Sequence, residues 1–82
     1  MKKIRLTEKD LINLGFKRFD EKDDNYYYYT YDIGKLCLLS QANDEVVGDE
    51  WHVEIFEHFH FRITDLEDLK TLIKILEKTK VD

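Results

Sequence analysis

Proline is absent from the 82 residues, cysteine occurs once, and no apolar run approaches the roughly 18 residues of a membrane span. With no proline-rich stretch, repeat or low-complexity tract to mark a linker, the chain reads as one domain, 1–82. The lone Cys37 excludes an intramolecular disulfide and fits a reducing, cytoplasmic setting. Met1-Lys2-Lys3-Ile4-Arg5 is basic like the start of a signal peptide, but Glu8 and Asp10 stand where its apolar stretch would be. Basic residues are missing from Leu36 to Phe61, and Tyr26–Asp68 carries ten acids against only Lys35 and Arg62, a net of −8. Met1–Asn25 holds seven bases and six acids, and Leu69–Asp82 four bases and two acids, so the overall −5 is concentrated in the middle. Such a field repels phosphate backbones and attracts basic surfaces, so neither a nucleic acid nor a membrane is expected as partner. No glycine-rich phosphate loop, nucleophile elbow or paired-carboxylate signature occurs, and neither an enzyme activity nor a cofactor is expected.

What is present suffices to fold: 43% hydrophobic and 13% aromatic residues. A chain of this size buries only about 60–65% of its unfolded surface, which leaves little room for a deep cavity beside the core. Thr7 with Asp10 three positions on predicts a capped helix start, and Leu6 and Leu11 hold the positions of a hydrophobic staple. Gly15 suits the left-handed residue that ends a helix, with Phe16 folding back on Leu11, so a helix is predicted from Glu8 to Leu14.

Four strands are expected next. Phe16–Phe19 alternates, Asp20–Asn25 is a polar turn, and Tyr26–Ile33 is a strand by its aromatic content. Gly34 marks a tight connection to Lys35–Gln41, Ala42–Asp49 is an acidic loop, and Glu50–Phe61 is a last strand with a bulge near Glu57. Thr64 and Glu67 form a capping box for a final helix, whose Leu66, Leu69, Leu72, Ile73 and Leu76 make one apolar stripe. Acids in its first turn and Lys74, Lys78 and Lys80 towards its end suit the helix dipole. The connections are too short for parallel crossovers. The fold class predicted is therefore α+β: a four-stranded antiparallel meander in the order αββββα, with both helices on one face.

Alternation then assigns the faces. Tyr27, Tyr29, Tyr31 and Ile33 point to the core with Trp51, Val53, Ile55, Phe59 and Phe61. Tyr26, Tyr28, Thr30 and Asp32 point away, as do His52, Glu54, Phe56, His58 and His60. The segment Leu36-Cys37-Leu38-Leu39 is apolar on both sides, as strands are when both faces are covered.

His58 and His60, at i and i+2 on a strand, can hold zinc with His52 or Glu54, but no accompanying metal motif is present and ordinary surface histidines are the plainer reading, so no metal site is expected. Cys37 between leucines reads as a small hydrophobe rather than a nucleophile. The tyrosine cluster resembles the base-stacking platform of RNA-binding sheets but lacks their lysines and arginines. Core packing and strand propensity explain part of it. The remainder predicts a protein-binding surface of Tyr26, Tyr28, Asp49, Glu50, His52, Glu54 and Phe56. Asp44, Glu45, Asp49, Glu50 and Glu54 are close enough in sequence to make one patch that imitates a nucleic-acid backbone and inhibits a basic protein.

Leu6-Thr7-Glu8-Lys9-Asp10-Leu11-Ile12-Asn13-Leu14-Gly15-Phe16-Lys17 resembles the start of a group of uncharacterised small phage and mobile-element proteins. These share a Leu-Thr cap, a Leu-Gly-Phe helix exit, tyrosine-rich strands and a leucine-rich last helix. That helix often reads V-H-x-L-Q-N-L, whereas Thr64-Asp65-Leu66-Glu67-Asp68-Leu69-Lys70-Thr71-Leu72 keeps only the leucine spacing. The resemblance implies no known activity and favours a small accessory or counter-defence protein. The expected function is a non-enzymatic module that binds another protein, either a basic one or a second copy in a homodimer; the alternative is the acidic inhibitor.

Overall fold

The computed structural model describes residues 4–21 and 25–80. Its elements run α1 (Glu8–Leu14), β1 (Lys17–Asp20), β2 (Tyr27–Ile33), β3 (Leu36–Ser40), a short 3-10 turn (Asn43–Glu45), β4 (Val53–Ile55), β5 (His58–Ile63) and α2 (Leu66–Thr79). The α+β class and the antiparallel meander hold, but the sheet has five strands, in the order β1-β2-β3-β4-β5. The segment expected as one bulged strand is a hairpin. Phe56 and Glu57 form its turn, with Glu57 at φ 70°, and the faltering alternation marks a reversal of direction. The pairing of β4 with β5 also shifts register between Glu54 and Ile55.

The first helix follows its local signals. The Thr7 hydroxyl accepts from Asp10 N, and the Asp10 carboxylate accepts from Thr7 N at 2.9 Å, closing the capping box. Gly15 stops the helix at φ 100°, a conformation that any side chain would strain. Phe16 N then returns to Leu11 O at 3.0 Å. Glu21 N and Tyr26 O close the β1–β2 connection, whose centre, residues 22–24, lies outside the described residues. Gly34, at φ 60°, takes the first place of the two-residue turn between Ile33 and Leu36, where hairpin twist demands a positive φ. The second helix departs from expectation by one residue: its N-cap is Asp65, which accepts from Asp68 N at 3.1 Å, so Thr64 and Glu67 do not form the box.

Both helices pack on one face. Leu6, Leu11, Phe16, Tyr29, Ile33, Leu38, Trp51, Val53 and Leu69 form a single buried cluster. Leu6 and Leu11 are fully buried, as the staple requires. From α2 only Leu69 is fully buried, while Leu66, Leu72, Ile73 and Leu76 are half-buried against the cluster. Phe59 and Phe61, expected in the core, are about half exposed, at 49% and 53%. The reversal at Glu57 puts them on the edge strand, of which only Ile63 packs against the core. The chain ahead of α1 ties the ends of the last hairpin together. Trp51 N donates to Leu6 O and Leu66 N to Ile4 O, both at 2.9 Å, and Arg5 bridges to Asp65. Among the described residues no helix is long and apolar enough to cross a membrane.

Candidate functional site

With both helices on one side, the other side of the sheet is left without a covering layer. Strand alternation and register decide what it carries. One row crosses the whole sheet: Lys17 is paired with Thr30, Thr30 with Leu39, Leu39 with Glu54 and Glu54 with Arg62. A second row begins with Phe19 opposite Tyr28, whose rings stack with centroids 5.2 Å apart. Tyr26 meets Tyr28 edge-on at 6.4 Å. Asp32 opposite Cys37 makes a third row. Tyr26, Tyr28, Cys37 and Leu39 are half-buried, although no helix lies over them. For Tyr28 the neighbouring rings of Phe19 and Tyr26 supply part of that cover.

The same alternation explains the covered face. Tyr27 and Tyr29 pack on Trp51, and Tyr31 on Phe16. The Tyr29 hydroxyl donates to Glu8 Oε2 at 2.6 Å, and burial, then Glu8, raises its pKa well above the ordinary tyrosine value. Arg18, also on this side, lays its guanidinium 3.7 Å from the centre of the Tyr27 ring, and its Nε donates to Asp20 Oδ1 at 2.9 Å.

The residues expected to bind a partner are not all brought together. Tyr26 and Tyr28 stand on the open face as expected. Glu54 joins them across Leu39, and its Oε1 contacts His52 Nε2 at 2.8 Å, with both side chains mostly buried. Phe56 is held elsewhere: its N–H donates to Cys37 O, and its ring sits edge-on to Phe59 at 6.1 Å. Asp49 is exposed but tied to neighbouring elements. Its Oδ1 accepts from Trp51 Nε1 at 2.9 Å and from Glu8 N at 3.4 Å, and it holds φ 55°. Glu50 lines a separate groove with Arg5, Trp51, His52 and Thr64. Within the acidic stretch Glu45 and Glu54 therefore share one groove, while Glu50 lines another and Asp49 is tied to the Trp51 indole.

Tyr26, Tyr28, Leu39 and Gln41 line a shallow groove of about 460 Å³ on the open face, bordered by the carboxylates of Glu21, Glu45 and Glu54. Burial, then the nearby Glu21 carboxylate, raises the pKa of Tyr28 and keeps its hydroxyl protonated. Phe19 and Glu21 escaped sequence reasoning because β1 is short and its side chains are exposed; pairing β1 with the tyrosine strand was the signal that could have found Phe19. The Cys37 thiol is pushed up by burial and by Asp32, opposite to the shift that activates a nucleophile. His58 and His60 lie on the exposed last hairpin with ring centroids 6.3 Å apart, while His52 is held by Glu54. Among the described residues no group of three or more His, Cys, Asp or Glu side chains is gathered to hold a metal. The chain matches no family model, no curated protein and no solved structure.

Proposed function

We propose that the protein is a non-enzymatic interaction module whose uncovered sheet face binds another protein. One observation carries this reading: Phe19, Tyr26, Tyr28 and Leu39 lie together on the side of the sheet that both helices leave bare. Aromatic side chains with polar tips give large contact area for little lost rotamer freedom, and they are enriched where proteins meet. Asp49 and Glu50 stand in other surroundings than Glu45 and Glu54, which favours this reading over a nucleic-acid mimic that needs all of these carboxylates in one array. An accessory role in a phage or mobile element, within a cytoplasm, fits the order of elements and the opening residues.

The test compares proteins recovered with the tagged chain from its native host, quantified by mass spectrometry. The open-face variant Tyr28→Thr with Leu39→Thr keeps strand propensity while removing the apolar surface. A control, Lys70→Ala with Lys74→Ala, alters exposed positions of α2. A partner lost with the first variant and retained with the second supports the proposal. Equal recovery with both refutes it. If the recovered partner is the chain itself, sedimentation shows a dimer that tightens as salt screens the mutual repulsion of its acids.

A further inference from the structure

We infer that the open-face groove receives an arginine side chain from a basic segment of the partner protein. The inference rests on the reading of this face as a protein-binding surface and adds the chemistry of what it takes. The floor of the groove is aromatic and aliphatic: Tyr26 edge-on to Tyr28 with Leu39 beside them, and Phe19 stacked against Tyr28 from outside the groove. Its rim supplies charge of a single sign. Glu21, Glu45 and Glu54 border it, and no base among the described residues lines it. Glu45 uses Oε1 to accept from Ala42 N at 3.1 Å, and Glu54 uses Oε1 on His52, so each keeps a second oxygen without a protein partner among the described residues. A planar guanidinium suits such a place, because it stacks on an aromatic face while its N–H groups donate to carboxylates at the edge.

The other face of the sheet contains this arrangement already filled. Arg18 lies over the Tyr27 ring at 3.7 Å while its Nε donates to the Asp20 carboxylate at 2.9 Å. The open face repeats the components, tyrosines of the same segment with carboxylates beside them, and among the described residues no arginine lines the groove. Lys17 and Arg62 share that face but belong to its outer strands and do not line the groove. Among the described residues none supplies this cation, and a partner chain can. A second copy is a poorer source than a basic partner, since each copy brings a net charge of −5 to the encounter.

The probe is a hexa-arginine peptide, blocked at both ends, titrated into the full chain and followed by backbone amide shifts at each residue. Hexa-lysine and hexa-glutamate serve as comparisons. Shifts gathered at Glu21, Tyr26, Tyr28, Leu39 and Glu54 are expected, with hexa-arginine bound at least threefold tighter than hexa-lysine. Tyr28→Leu, which leaves the charge unchanged, should weaken hexa-arginine at least threefold, and Glu21→Gln with Glu54→Gln at least fivefold. The dispersion of each variant's amide spectrum checks that it is folded. No binding at millimolar peptide, or shifts spread over Asp44, Glu50 and α2 with no effect of Tyr28→Leu, overturns the inference. If host recovery still depends on the open face while the peptide fails, only the arginine assignment falls. If host recovery does not depend on that face, the reading beneath it falls as well.

Discussion

Asp49 and Glu57 are the two non-glycine residues among those described that hold a positive φ, 55° and 70°. Replacing each with glycine should move stability in opposite directions. Left-handed backbone costs an L-residue about 1–2 kcal/mol, and glycine returns roughly 0.4–1 of that through its freer unfolded chain. Glu57 sits exposed in the β4–β5 turn, so Glu57→Gly should stabilise by about 0.5–1 kcal/mol. Asp49 has the same backbone strain, eased because aspartate tolerates this region better, but its carboxylate accepts from the indole of Trp51 and from Glu8 N. Trp51 is only 4% exposed, so losing the acceptor leaves a buried N–H without a partner, at about 1–3 kcal/mol. The longer contact to Glu8 N at the start of α1 adds about 0.3–1 kcal/mol. Asp49→Gly should therefore destabilise by roughly 1–3 kcal/mol despite the relief of strain. Urea unfolding measures both, followed by far-ultraviolet circular dichroism and by the fluorescence of Trp51, the sole tryptophan. Asp49→Gly should also alter the native emission, since the indole loses its acceptor. Equal and stabilising shifts at the two positions would refute the assignment of Asp49 as a tie to the buried Trp51 indole.

Leu69 is fully buried and Ile75 is 47% exposed, so Leu69→Ala should cost about 2–5 kcal/mol and Ile75→Ala under about 0.5, with half-buried Leu72 between them; thermal melts that rank Ile75 above Leu69 would reverse the face of α2. Burial raises the pKa of Tyr27, Tyr28 and Tyr29 above the ordinary value of 10.0. The unfolded tyrosines release protons first, so stability is full below about pH 10 and falls as pH rises beyond it. Tyr29→Phe should make that alkaline loss shallower, and a slope unchanged from wild type in denaturant titrations above pH 10 would contradict the assignment. Zinc titrated into wild type and into His58→Ala with His60→Ala should give equally weak heats; a tight one-to-one site in wild type alone would show that those histidines hold a metal.

The first helix was legible to the residue because its signals are local. Thr7 and Asp10 reach each other across three positions, and Gly15 answers a backbone demand of its own. The inward set Tyr27, Tyr29, Tyr31 and Ile33 was legible because strand alternation has a strict period of two. The five-strand count was not. A turn with a non-glycine residue at positive φ carries no glycine or proline to announce it, so Glu57 was taken for a bulge and Phe59 and Phe61 for core. The cap of α2 was read one residue early because Thr64 and Asp65 are both competent caps, and the bridge from Arg5 to Asp65 is a long-range contact that no local pattern states. In the candidate site, sequence alone determined that Tyr26, Tyr28 and Glu54 point away from the helices. Only the tertiary structure decided their company. Register placed Leu39 between Thr30 and Glu54 and Phe19 against Tyr28, and it carried Phe56 to the far end of β3. The indole of Trp51 claimed Asp49, which composition counts only as one more negative charge. Periodicity fixes the side of a sheet on which a residue stands, whereas pairing across strands, set by turns and by burial elsewhere, fixes its neighbours.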